Sequence, residues 1–397
     1  MSGNSAVRNY AQIFKRPELP FYLILWSVIA LSGLGLTMVL SASSVKSLQD
    51  NGSTFSIFGK QFFFLILASG CSYWAYKVRG AFWPLFARYA LLISIFSLAL
   101  PLVPGLGKNV NGNRNWIEFA GFTLQPSEFA KFGLILWCAL HLRKSESKSE
   151  DGFIKNPLLV IMPGAIAIEL FVLGQRDLGT GILIFAILGG IIFIAGAELK
   201  IFGYAFIGVV SIVTFLVVTS PNRMNRFAAF TNPFDEQYYK FAGWQPAHSI
   251  MGLASGGLFG AGLGASKQKW ANLAEAHTDF IYAVIGEELG LLGTLVVLML
   301  FAALIYGIFR VALKTKDTFS RYAVAGIACW FLVQVIVNIA SVTSLLPVIG
   351  VTLPFISYGG SSLIANFLAI GFVLGVARRT PEIAEGIKAV RMRRLGR

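Results

Sequence analysis

Charge is scarce in this chain: Asp, Glu, Lys and Arg make up 13% of its 397 residues, against about one quarter in an ordinary soluble domain. That shortage excludes a water-facing globular surface over most of the length, and a hydrophobic content of 56% directs the chain toward lipid or a bundle interior. Cysteine is rare as well. Cys71, Cys138 and Cys329 each fall in an apolar run with no C-x-x-C or Cys/His spacing, which argues against a disulfide framework or a zinc site. No Walker A motif is present, and no internal period of about 20–50 residues marks a soluble repeat. Ser43 to Lys46 has the S-x-x-K form, but neither S-D-N nor K-T-G accompanies it.

Apolar runs of spanning length, about twenty residues each, are what the chain has in abundance. They fall near 20–42, 57–78, 81–103, 126–142, 156–174, 180–198, 200–219, 279–310, 321–346 and 351–377. The fold expected is an all-α polytopic membrane protein of about ten transmembrane helices, with a long extracytoplasmic loop between the seventh and eighth. The formal charge of +14 reads first as a topology signal, and no nucleic-acid partner is expected. With the N-terminus inside, the inner segments hold roughly twice the Lys and Arg of the outer ones, so both termini are expected in the cytoplasm. The first run, Phe21 to Leu40, reads as a retained signal anchor. The organisation expected is a cytoplasmic segment 1–19, a membrane domain 20–378 and a basic tail 379–397 that meets membrane lipid or solvent.

Three segments are then outer: 105–125, the short turn 174–179, and the long loop 220–278. In the first, Pro126 and Ser127 start a helix that sets Glu128 and Lys131 at i and i+3 on one face. Lys131 lies about 7–8 Å inside it. An ion pair reaching for the interface and part of an anionic-ligand pocket are both open readings. Arg114, beside Trp116, is an interfacial anchor or a phosphate contact. In the turn, Arg176 and Asp177 read as a solvated cap or a site. Glu169, a lone acid in the preceding span, needs a partner, for which Arg88 and Glu288 are candidates.

The long loop brings Arg223 and Arg226 near the membrane surface, then a glycine-rich run. Gly256, Gly260 and Gly264 would form a bare stripe on a short helix that allows close backbone approach, with Lys267 and Lys269 available to an anion. The stretch Ala271 to Gly290, reading A-N-L-A-E-A-H-T-D-F-I-Y-A-V-I-G-E-E-L-G, carries the chain from this loop into a helix. Asp279 stands at that entrance with Glu275 and His277 beside it, partly desolvated and reachable from water, which makes it the leading functional acid. An oxygen-rich magnesium or manganese site at Asp279 is a conceivable addition, while a two-histidine metal site is not favoured. From Asn338 to Leu363, two prolines, turn glycines and many hydroxyls at membrane depth imply broken backbone, as a hinge or as a cavity wall.

In order along the chain, R-x-W-I with Q-P-S-E-F-A-K, R-D-L-G-T, R-F-x-x-F-x-N-P, G-L-G-x-S-x-x-K, E-A-H-T-D-F-I-Y-A-V-I-G-E-E-L-G and L-P-F-I-S-Y-G-G-S-S-L closely resemble the SEDS family of shape, elongation, division and sporulation proteins. The wording N-I-x-x-V-T and G-V-T-L-P is closer to the division branch than to the elongation branch. The resemblance implies a ten-helix peptidoglycan glycosyltransferase that polymerises lipid II outside the bacterial cytoplasmic membrane at the septum. It also implies a class B penicillin-binding protein and other division proteins as partners. By motif match Asp279 corresponds to the essential acid, and Arg114, Glu128, Lys131, Asp177, Arg226 and Lys269 to polar cavity and loop positions. Ala274, Ser344 and His248 depart from the usual Pro, Gly and Gln. A lipid II flippase, an elongation polymerase and a scaffold without chemistry are the competing readings.

Overall fold

The computed structural model describes residues 16–110, 113–119, 121–148, 156–270 and 273–394. Most of the expected N-terminal segment, Lys155, Ala271 and Asn272 lie outside them, as do the side chains of Arg223 and Arg226. Three helices come first, α1 Leu19–Asn51, α2 Ser56–Lys77 and α3 Phe82–Ala99. Then follow β1 Gly107–Val110, β2 Asn113–Phe119, β3 Phe122–Leu124 and the helices α4 Pro126–Glu146, α5 Pro157–Gly174, α6 Leu178–Ile194 and α7 Leu199–Val218. The long loop holds three shorter helices, α8 Pro221–Thr231, α9 Glu236–Tyr239 and α10 Trp244–Ser255. The chain continues through α11 Ile281–Lys314, α12 Thr318–Val342, α13 Gly360–Arg379 and α14 Pro381–Arg394.

Among the described residues each of the ten apolar windows coincides with a helix. Seven of these, α1, α3, α5, α7, α11, α12 and α13, are long and apolar enough to cross a membrane. The shorter α6, the polar-bearing α4 and α2 run in the same bundle. The helices start where local chemistry supplies donors or spares them. Asp177, Asn156 and Asp317 accept backbone amides at the N-termini of α6, α5 and α12, and Pro126 and Pro157 occupy first-turn positions that need no amide.

Three departures from the sequence reading have physical causes. The loop 107–124 forms a three-stranded antiparallel sheet in the order β1-β2-β3, whose short strands carry no apolar alternation. The last two windows are trimmed: residues 343–359, holding Pro347 and Pro354, stay irregular between α12 and α13. The glycine run after Ser255 is not helical. Gly257, Gly260, Gly262 and Gly264 all take positive φ, and the run is inserted into α11, which breaks at Gly290. Ala261 and Gly262 amides donate to the carbonyls of Glu287 and Glu288, while Leu291 and Leu292 amides donate to Gly257 and Leu258. Of the three glycines expected to allow close approach, Gly256 and Gly260 do, because a Cβ on either would strike the backbone of Gly286 or Glu288, and Gly264 does not, meeting only Lys269 Nζ at 4.0 Å.

The core lies where α4, α12 and α13 meet; α4 is buried along nearly its whole length, while α7 buries no residue. Trp83 packs edge-to-face on Phe372 at 4.9 Å, with Phe132 against both. Gly371 and Gly375 bring α13 against the backbone of α2. One end of the bundle carries charge pairs: Arg321 with Glu146 at 2.9 Å, Arg143 with Asp317 at 3.8 Å and Lys314 with Glu382 at 3.5 Å. The sheet, the 174–177 turn and the long loop gather at the other end, and the site lies there.

Candidate active site

The approach to α11 is a tight turn in which Glu275 adopts a positive φ of 57°. The amides of Thr278 and Phe280 both donate to its carbonyl, and Thr278 Oγ1 donates to its carboxylate at 2.9 Å. This turn sets Asp279 half-buried on the wall of a cavity of about 460 Å³. Around it stand the carboxylates of Glu275 and Asp177, the amides of Asn113, Asn115, Gln125 and Gln245, and the irregular 344–352 strip. Among the described lining residues there is no lysine or arginine.

Burial, and after it the negative charges of Glu275 and Asp177, push the Asp279 carboxyl up to about 7. The group is therefore poised to exchange a proton near neutral pH. Among the described residues its carboxylate takes no hydrogen bond. Asp177 is the opposite case, buried and fully engaged: it accepts from Thr180 N at 3.0 Å and Oγ1 at 2.8 Å, Asn115 Nδ2 at 2.6 Å and Gln125 Nε2 at 3.4 Å. It caps α6 and ties the sheet and the start of α4 to that cap.

A second, apolar cavity of about 900 Å³ adjoins the first through Asn113, Asp177, Phe241 and the 346–349 strip, and runs between α6 and α7 along Ile182, Val213 and Val217. Arg176 stands at its edge. On the far side of β2, Arg114 and Arg176 flank a recess of about 270 Å³. The Arg114 amide donates to the Gln175 carbonyl at 3.0 Å, which holds strand and turn together.

The model of the cell cycle protein family of FtsW, RodA and SpoVE matches residues 22–382. The chain belongs to this family. It is 38% identical over 376 residues, 95% of this chain and 71% of the relative, to the probable peptidoglycan glycosyltransferase FtsW of Mycobacterium tuberculosis. It is 39% identical, over 89% of this chain and 96% of the relative, to the protein of the same name from Coxiella burnetii. In fold it is similar to a chain from a peptidoglycan synthase complex that coordinates polymerization and crosslinking, with a TM-score of 0.73, 24% identity, and 90% of this chain and 97% of that one covered.

In this FtsW/RodA/SpoVE family member the residues singled out by sequence divide into three groups. Asp279 and Asp177 share one cavity, with Glu275 beside them. Arg114 faces the neighbouring recess, and Lys267 is exposed away from both. Of the two readings left open for Lys131 the structure shows the ion pair, and Lys269, offered to an anion, is likewise buried and paired within the chain. Lys131 Nζ is taken by Glu128 at 2.9 Å and Gln334 at 3.1 Å and lies 4.9 Å from the Trp330 ring centre. Lys269 Nζ is taken by Gly264 O at 2.6 Å and Glu288 at 3.3 Å. Glu128 is itself buried in that pair. His277 packs on Tyr358 rather than against the Asp279 carboxylate. Burial first, and then Lys46, lower its pKa to about 4, so the ring is neutral at physiological pH.

Neither proposed partner reaches Glu169. Glu288 is engaged by Ser41 and Lys269, Arg88 is exposed, and Glu169 Oε1 is buried without a partner among the described residues. Sequence reasoning missed the amides. Asn113 and Asn115 bracket Arg114 on β2, and the two-residue period of a strand sends the pair to one side and the arginine to the other. That alternation was the available signal.

Proposed function

We propose that this protein of the cytoplasmic membrane is a peptidoglycan glycosyltransferase, polymerising lipid II at the outer face during cell division, with Asp279 as its base. The observation that carries the reading is an unbonded carboxylate, poised near pH 7, on a polar cavity that opens into an apolar groove. A membrane-tethered sugar needs both compartments: polar space for sugar and pyrophosphate, and apolar space for the polyprenyl tail. The FtsW names of the relatives support the division role.

A sugar on pyrophosphate already has a good leaving group, so one base suffices where a glycosidase uses two carboxylates. The acceptor hydroxyl oxygen attacks the anomeric carbon and its proton passes to Asp279. The bond from that carbon to the pyrophosphate oxygen breaks, and its electron pair leaves with the polyprenyl pyrophosphate. The guanidinium groups of Arg114 and Arg176, which take no side-chain hydrogen bond or acid among the described residues, supply positive charge toward that group from the recess beside the cavity.

Among the described residues no three His, Cys, Asp or Glu side chains converge on a metal position. Asp279, with its free carboxylate, and Glu275 fit a magnesium or manganese ion only as a partial shell completed by substrate phosphate, the usual manner for magnesium. Such an ion would supply positive charge to the pyrophosphate.

We also propose that both termini lie in the cytoplasm, on the excess of Lys and Arg in the segments read as inner, and that the chain works at the septum beside a class B penicillin-binding protein, a role suggested by the FtsW names of its relatives. The test is purified protein with lipid II: Asp279→Ala and Asp279→Asn yield no polymer above background, and wild-type polymerisation by either removes the acid from the mechanism. Lipid translocation in proteoliposomes without any polymer would favour a flippase.

A further inference from the structure

Three consecutive peptide carbonyls at the entrance to α11 are each taken by a donor from the last quarter of the described chain. Tyr358 N donates to His277 O at 2.9 Å, Ser357 Oγ to Thr278 O at 2.6 Å and Asn338 Nδ2 to Asp279 O at 2.9 Å. The backbone that leads to the acid is therefore held, although the acid's own carboxylate is not. Asn338 does more than the other two. Its Nδ2 also donates to Val351 O at 2.7 Å, and the residue is 1% exposed.

Val351 sits between Gly350 and Thr352, which both line the Asp279 cavity. Gly350 is so near that a Cβ placed on it would lie 3.5 Å from Asp279 Oδ2. One turn earlier on α12, on the same face, Gln334 Nε2 donates to Thr352 O at 2.9 Å, while its Oε1 accepts from Lys131 Nζ and from Trp330 Nε1 at 2.6 Å. Two buried amides on one helix thus grip consecutive carbonyls of the cavity wall, and one of them grips the acid's residue as well.

We infer that Asn338 is a positioning residue for the reaction, fixing the backbone of Asp279 against the 350–352 wall so that the free carboxylate keeps one place in the cavity. Residues 347–352 make no backbone–backbone hydrogen bond, so side-chain amides from α12 help set where that wall stands. Gln334 supports it from the Lys131 side. A base displaced by about 1 Å loses roughly a hundredfold in rate, which is the scale at which such a contact acts. The inference rests on Asp279 being the base.

The experiment measures steady-state lipid II polymerisation by the full-length protein as wild type, Asp279→Asn, Asn338→Ala and Asn338→Asp, with a thermal melt of each. Asn338→Ala is expected to lower kcat about 10–100-fold with KM changed less than about twofold. The isosteric Asn338→Asp keeps the shape but faces two carbonyl oxygens with a carboxylate. It is expected to lose most activity near about pH 8 and to regain it relative to wild type near about pH 6, where a protonated carboxyl can donate to one of them. A packing defect alone would leave that ratio flat. If both Asn338 variants keep the wild-type kcat and pH profile while Asp279→Asn is dead, the positioning role is overturned and the base stands. If Asp279→Asn polymerises normally, both fall.

Discussion

Lys131 Nζ lies 2.9 Å from Glu128 Oε1, with the lysine side chain shut off from solvent. A buried pair of this kind contributes little net stability, but breaking it from one side strands a charge. Lys131→Ala or Glu128→Ala should each cost about 3–5 kcal/mol, and a Lys131→Met/Glu128→Leu double variant distinctly less. Thermal unfolding in detergent measures all three. Equal loss for the single and double variants would mean that the pair is not electrostatically sealed.

The pH profile should show the environment of Asp279. Its carboxyl is raised from an ordinary 3.8 to about 7, by burial first and then by Glu275 and Asp177. As a base it must be deprotonated, so kcat/KM should rise with pH and level above about 7. Removing one of the raising charges in Glu275→Gln should slide that limb to lower pH.

The same shift has a stability consequence of opposite sign. A carboxyl whose folded pKa exceeds its unfolded value favours the folded state most at low pH, and that advantage fades as pH rises from 3.8 through about 7. Asp279→Asn should therefore melt higher than wild type at about pH 8 and nearly equal it at about pH 4. Melting curves at the two values decide it.

Asp177 should behave as an organiser. Asp177→Ala removes the α6 cap, worth about 0.5–2 kcal/mol, and frees Asn115 and Gln125 together. The expected outcome is a lower melting temperature and a loss of rate greater than that of Asp177→Asn, which retains an acceptor for Thr180. Comparing kcat and melting temperature for the two variants tests this.

Gly290 should tolerate no side chain. At φ 68° and ψ −166° it occupies a region open in practice only to glycine, where another residue costs about 1–3 kcal/mol in backbone strain alone. A Cβ there would also meet the Leu258 and Gly260 backbone. Gly290→Ala should fail to accumulate or melt far below wild type, whereas Gly33→Ala, which meets nothing within 4 Å, should not.

The membrane helices and the place of Asp279 at a helix entrance were legible in the sequence because both are local facts. A run of about twenty apolar residues has no other stable arrangement in lipid, and Asp279 borders such a run whatever packs around it. Pro347 and Pro354 likewise announced broken backbone before α13, leaving open whether it was hinge or wall. The glycine run announced close approach but not its geometry. Whether a loop forms its own helix or completes the broken ladder of another depends on a segment some thirty residues away.

The sequence by itself determined a bundle of apolar helices with an acid at one end, since length, hydropathy and helix punctuation belong to each segment alone. Only the tertiary structure decided that Lys131 and Lys269 turn inward to Glu128 and Glu288, that Arg114 and Arg176 share a recess, and that Asn338 holds the acid's backbone to the wall opposite. Those outcomes depend on which helix faces meet. Inside a low-dielectric bundle a charge or amide must find whatever partner packing brings within about 3 Å.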